Sequence, residues 1–123
     1  MTVLVLASAS AVRARLLRAA GVPFELRPAD IDEEALRVVL KAQGAEAGDI
    51  AEVLAQEKAL AVSRVGPEKL VLGCDQILAL EGQLLAKPAD LGEARAQLQR
   101  LRGKEHSLLT ACVLVKGGQP VWR

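Results

Sequence analysis

An α/β fold, a mixed β-sheet flanked by helices, is what this 123-residue sequence predicts. Three observations lead there. Short apolar runs of strand length alternate with segments whose apolar residues recur at helical spacing, the order expected of strand–helix–strand units. One run, Leu70-Val71-Leu72-Gly73-Cys74, is apolar without alternation, as in strands covered on both faces. Two tight-turn signals, Glu81-Gly82 and Gly117-Gly118, each separate strand-like stretches and so add antiparallel strands to the sheet.

The elements follow in order. Residues 3–7 are β-like, and residues 10–20 carry Val12, Leu16, Leu17 and Ala20 at helical spacing until Gly21 stops the pattern. Between them Ser8-Ala9-Ser10 supplies hydroxyls and a helix cap, with Arg13 in the first turn. A short strand is expected over 22–27, then the acidic stretch Asp30-Ile31-Asp32-Glu33-Glu34 and a loosely helical arm over 34–42 ending near Gly44. A longer helix is expected over 49–63, capped by Asp49, with Ile50, Val53, Leu54, Lys58 and Ala61 on one face. Gly66-Pro67 breaks it, and the apolar run from Leu70 is expected to end at Asp75-Gln76. Residues 77–80 and 83–86 form a hairpin, Lys87-Pro88 follows, and a helix over 91–102 starts at Asp90 and ends at Gly103. Residues 106–116 and 119–123 are the last two strands, and the sequence stops in what reads as the second arm of a hairpin.

At 51% hydrophobic residues the chain can bury one core, so residues 1–123 are expected to form a single domain. Sixteen Lys and Arg balance fifteen Asp and Glu, and the two signs are interspersed, which argues against a nucleic-acid surface. With Phe24 and Trp122 as the sole aromatic residues, base stacking is no major binding device. Cys74 and Cys112 lie in apolar runs without CxxC spacing, as buried thiols of a reduced, cytoplasmic protein would. The apolar start, from Met1 to Ala7, lacks a basic flank and is too short to span a bilayer, so neither a signal peptide nor a membrane segment is expected.

Chemistry is carried by five places. A strand that breaks into Ser8 and Ser10 before a helix bearing Arg13 presents backbone N–H groups, hydroxyls and a guanidinium together, a combination suited to phosphate. Asp75 beside a buried strand needs a partner or a metal. Glu33, Lys58 and Lys87 complete the set. Singly each has a plainer reading: Ser8 or Ser10 as a cap, Lys58 as a solvated charge, Lys87 and Asp75 as turn residues, Glu33 as part of a solvated acidic run. Together they supply carboxylates for a hard divalent cation and cations for polyphosphate oxygens, the equipment of phosphoanhydride hydrolysis.

These residues also carry a resemblance. Leu6-Ala7-Ser8-Ala9-Ser10 with Arg13, Asp32-Glu33, Ala55-Gln56-Glu57-Lys58-Ala59, Gly73-Cys74-Asp75-Gln76, Gly82 with Lys87-Pro88, and Leu101-Arg102-Gly103 with His106 and Thr110 follow, in order, the pattern of the Maf family of nucleoside triphosphate pyrophosphatases. The resemblance implies the Maf or inosine-triphosphate-pyrophosphatase type of α/β fold, with a nucleotide cleft between two lobes. It also implies cleavage between the α- and β-phosphates to a nucleoside monophosphate and pyrophosphate, with a divalent cation, Mg²⁺ or Mn²⁺, as cofactor. By the same resemblance Asp75 matches the catalytic base and a metal ligand, and Glu33 an acid serving the metal or the water. Ser8, Ser10, Arg13, Lys58 and Lys87 match substrate-binding positions, and Val12 and Gln76 go with base preference.

The chain departs from that pattern at several points. Ala11 stands where relatives commonly have proline, and Val12 and Ala14 flank Arg13 where a second basic residue is usual, which leaves a thinner phosphate cradle that Arg15 could supplement. Gln76 resembles the branch acting on 7-methyl-GTP and departs from the threonine of the dTTP/UTP branch, whereas Val12 matches neither. Family members continue for roughly another half of this length, so the C-terminal portion of the fold is expected to be missing, leaving an exposed sheet edge and a tendency to self-associate. A homodimer is compatible with the resemblance. The competing reading is a catalytically impaired, nucleotide-binding or regulatory Maf-like protein whose motif residues grip phosphate without turnover.

Overall fold

The computed structural model describes residues 3–123; Met1 and Thr2, which open the apolar N-terminal run, lie outside the described residues. Strand β1 (Leu4–Leu6) leads through Ser8 into helix α1 (Ala11–Ala19), whose N-cap is Ser10, accepting from the Arg13 N–H. Strand β2 (Phe24–Leu26) pairs parallel with β1. Helix α2 (Glu33–Ala42) is capped by Asp32, and helix α3 (Ala47–Ser63) follows. The long strand β3 (Leu70–Leu80) turns at Glu81-Gly82 into β4 (Gln83–Leu85). Helix α4 (Leu91–Leu101), capped by Asp90, precedes strands β5 (Ser107–Lys116) and β6 (Gln119–Trp122). Both hairpin turns have two consecutive residues with positive φ, Glu81 (51°) with Gly82 (79°) and Gly117 (60°) with Gly118 (72°), the backbone that lets a two-residue loop follow the strand twist.

The six strands form one mixed sheet of order β2-β1-β3-β5-β6, with β4 beside β3. β1 is parallel to both β2 and β3, while β3–β5, β3–β4 and β5–β6 are antiparallel. From β1 the chain steps to one side to make β2, then crosses back to make β3 on the other. Right-handed crossovers in opposite directions put their helices on opposite faces. Accordingly Ala14 of α1 packs with Leu6 and Cys74 on one face, whereas Ala55, Ala59 and Val62 of α3 pack with Val5, Val71, Val113 and Val115 on the other. A third cluster, Ile50, Ala51 and Leu54 with Ile77, draws in Leu36 and Leu40 of α2.

Three expectations are corrected. The strand from Leu70 does not end at Asp75: it runs on to Leu80, because β5 pairs with it continuously from Val71 to Ala79 and because the Asp75 charge is met by Lys58 from α3. Helix α3 starts at Ala47, so Asp49 sits inside its first turn and favours the positive end of the helix dipole, while the N-cap Glu46 makes no side-chain capping bond. In α1 the sheet-facing residues are Ala14 and Leu17, and Val12 and Leu16 face outward, since the small Ala14 lets the helix seat against Leu6 and Cys74.

Candidate functional site

The site arises from a gap in strand pairing. One edge of β3 is fully covered by β5, but the other is shared by β1, which pairs with Leu70–Leu72, and β4, which pairs with Leu78–Leu80. Residues 73–77 lie between them on an edge that is unpaired among the described residues. This opening stands at the carboxyl end of β1, where the strand order reverses direction, the position at which open α/β sheets bind their ligands.

Gly73, Asp75 and Ile77 share the face covered by α3. A Cβ on Gly73 would fall 2.0 Å from the Ala55 carbonyl oxygen and 2.9 Å from the Ala59 Cβ, so only glycine permits this approach of helix to strand. The close approach brings Lys58, between those two alanines on the same helix, to Asp75. Its Nζ lies 3.0 Å from Asp75 Oδ1, 3.3 Å from the Cys74 carbonyl oxygen and 2.7 Å from Oε1 of Glu33, at the start of α2. Lys58 and Asp75 are buried and Glu33 is half-buried. Asp75 Oδ2 is buried without any hydrogen-bond partner among the described residues. A buried carboxylate oxygen left so is costly, which points to a bound group or water there.

At the end of β1, the buried Ser8 Oγ accepts from the Ser10 N–H (3.0 Å) and from Arg13 Nη1 (3.2 Å), while Ser10 Oγ caps the Arg13 N–H at 3.3 Å. The Ala7 N–H bonds to the Leu72 carbonyl, so the turn begins where β3 enters its unpaired stretch. Hydroxyls, a guanidinium and a helix N-terminus are thus brought together.

The remaining residues are less tightly tied. Lys87 is exposed and, among the described residues, no hydrogen bond or ion pair joins it to the cluster, although the chain leaving β4 after Leu85 heads back toward the level of Gln76. Gln76 points to the face opposite Asp75 and donates to Thr110 Oγ1 of β5 at 2.9 Å. Val12 is exposed on the first turn of α1. Sequence reasoning treated Glu33 and Lys58 as separate contacts to metal and phosphate, whereas the structure joins them. It also missed the packing role of Gly73, for which a glycine inside an apolar strand was the available signal.

Cys74 and Cys112 face each other across β3 and β5 with their sulfurs 3.6 Å apart, both as free thiols. Burial, with the neighbouring Cys112 adding to it, pushes the Cys74 thiol from 9.0 up to about 12.

The Maf-like protein family profile matches residues 3–123. The chain belongs to the Maf family. It is 50% identical over 122 residues to a nucleoside triphosphate pyrophosphatase of Ruegeria sp. (strain TM1040), which covers 99% of this chain and 61% of that protein. It is 47% identical over 124 residues to a 7-methyl-GTP pyrophosphatase of Brucella abortus biovar 1 (strain 9-941), covering all of this chain and 62% of that protein. A nucleoside triphosphate pyrophosphatase of Gluconobacter oxydans (strain 621H) is 48% identical over 122 residues, covering 98% and 60%. The chain therefore spans about three fifths of the length of these Maf relatives, and its mixed sheet flanked by helices is consistent with the Maf fold.

Proposed function

We propose that this Maf chain carries the reaction centre of a nucleoside triphosphate pyrophosphatase, which cleaves the α–β phosphoanhydride to a nucleoside monophosphate and pyrophosphate. The observation that carries the reading is Asp75 Oδ2, a buried carboxylate oxygen with no partner among the described residues, in the unpaired stretch of β3 that begins beside the Ser8–Arg13 turn. Asp75 takes a proton from the attacking water as its oxygen bonds to the α-phosphorus. The bond to the bridging oxygen breaks, pyrophosphate leaves, and the proton returns to solvent. Ser8, Ser10, Arg13 and Lys87 hold phosphate oxygens, and before substrate arrives Lys58 holds Asp75 through its Oδ1 contact.

The donor set fits a hard divalent cation: Asp75 and Glu33 supply carboxylates, and Asp75 Oδ2 is free to bind. Mg²⁺ or Mn²⁺ held there would neutralise phosphate charge and lower the pKa of a bound water. Gln76 and Val12 contribute to base choice, and the Brucella relative's substrate makes 7-methyl-GTP the first nucleotide to try. Two free thiols suit a reducing compartment, and we place the protein in the cytoplasm. No helix of the described residues is long and apolar enough to cross a membrane.

The test is pyrophosphate release from a panel of canonical and methylated triphosphates with Mg²⁺ or Mn²⁺. Asp75→Asn is expected to lower the rate by about 10²–10⁴-fold, the usual worth of a general base, with an unchanged circular dichroism spectrum. A panel left intact by the wild-type chain overturns the activity. Triphosphate binding without turnover in calorimetry would instead favour the nucleotide-binding reading.

A further inference from the structure

We propose that Lys58 is the resident counter-cation of the divalent-metal site, so that a metal ion enters only as the Lys58 ammonium leaves. This rests on the pyrophosphatase reading for the identity of the cation, and on geometry for the rest. Three oxygens from three parts of the chain converge on one nitrogen: Glu33 Oε1 at 2.7 Å, Asp75 Oδ1 at 3.0 Å and the Cys74 carbonyl at 3.3 Å. Two carboxylates and a carbonyl are the oxygen donors that a hard divalent cation prefers. The ammonium sits at their meeting point and is buried there.

An ammonium and a divalent cation are like charges, and a like charge within about 4–6 Å disfavours its neighbour, the counterpart of the roughly 1–3 pK units by which an opposite charge at that distance favours it. Both cannot sit between Glu33 and Asp75 without that cost. Lysine is suited to leaving, because its charge rides on a flexible four-carbon stem and makes no bidentate lock. Glu33 is half-exposed, so the cluster reaches solvent at its Glu33 end. Asp75 Oδ2 is the independent sign of an unfilled ligand position: the ammonium meets Oδ1 and leaves its neighbour buried without a partner among the described residues.

Two consequences follow. The free protein should bind divalent metal poorly, because each metal ion must displace an internal cation. Polyphosphate should help, because its oxygens offer the displaced ammonium a new partner. Lys58 thereby couples phosphate arrival to metal entry.

Mn²⁺ binding without nucleotide, followed by the electron paramagnetic resonance of the free ion, tests this directly. Lys58→Met is expected to bind Mn²⁺ about tenfold more tightly than wild type or better, the lower end of the like-charge effect. Lys58→Met combined with Glu33→Gln is expected to lose that gain. Should Lys58→Met be unfolded alone, Mn²⁺ is expected to restore its native circular dichroism spectrum, by filling the charge gap between the carboxylates. Equal or weaker Mn²⁺ binding by a folded Lys58→Met, or no recovery of an unfolded one, overturns the proposal. The two readings fail separately: Mn²⁺-dependent hydrolysis by wild type without tighter binding in the variant removes only the role of Lys58. Tighter binding by the variant of a chain that hydrolyses nothing removes only the activity.

Discussion

Cys74 separates what a residue does for folding from what it does for chemistry. It immediately precedes Asp75, and its carbonyl accepts from Lys58, yet its thiol is held protonated with a pKa of about 12 by burial and by Cys112. Raised above the ordinary 9.0, this group binds its proton more tightly in the folded chain than in the unfolded one. Its contribution to stability is therefore complete below pH 9 and is lost as pH rises toward 12. Urea melts should show stability falling by at most about 1.4 kcal/mol per pH unit above pH 9 from this group, with a shallower fall in Cys74→Ala. Equal slopes in the two proteins would remove Cys74 as the cause. At neutral pH, iodoacetamide should spare Cys74 in the folded chain and label it in urea, read by mass spectrometry of the modified peptide. The caps Ser10 and Asp90 were legible at this scale, because a cap is a local hydrogen bond within three residues. The Glu33–Lys58–Asp75 cluster was legible only as a set of residue types. Its members pair across α2, α3 and β3, and nothing in their spacing says that one lysine serves both carboxylates.

Among the elements, α3 and β3 decide where the site stands, and Gly73 decides how closely they meet. The atom that a Cβ would strike at 2.0 Å is a helix backbone oxygen, which cannot swing aside as a side chain could. Gly73→Ala should therefore cost at least the ~1–3 kcal/mol typical of an overpacked core, measured by thermal or urea unfolding. It should also lower pyrophosphate release beyond the loss of folded protein, because moving α3 outward shifts Lys58, which meets Asp75 in the free chain and the polyphosphate once displaced. Gly48→Ala, in the first turn of α3 with only Leu109 Cδ2 nearby at 3.9 Å, is the matched control. It should stabilise the chain by up to about 1 kcal/mol through helix propensity. If both changes are neutral, the close packing is not what positions Lys58. The same pair of elements explains the misread end of β3. An aspartate in an apolar run normally marks a turn, and only the lysine arriving from α3, seventeen residues earlier, makes it tolerable inside the strand.

Across the whole molecule the two sheet faces are unequally covered. Helix α3 spans β1, β3 and β5 on one side, whereas α1 covers Leu6, Leu72 and Cys74 on the other and leaves the β5–β6 end of that face open. Leu108 and Trp122 are about three fifths exposed, and Leu98 of α4 is two thirds exposed. The outer edge of β6 has no partner strand among the described residues. Open edges and exposed apolar surface are the two features by which β-containing chains associate. The 123-residue chain should therefore sediment as dimers or larger species as its concentration rises. Trp122 is its one tryptophan and lies in the edge strand, so its emission should shift to shorter wavelength over the same range. Trp122→Asp should weaken association by placing a charge on that edge, while leaving the Glu33–Lys58–Asp75 cluster, built on other elements, to bind Mn²⁺ as before. A chain that stays monomeric, with emission independent of concentration, would show that the open face and edge are tolerated by solvent.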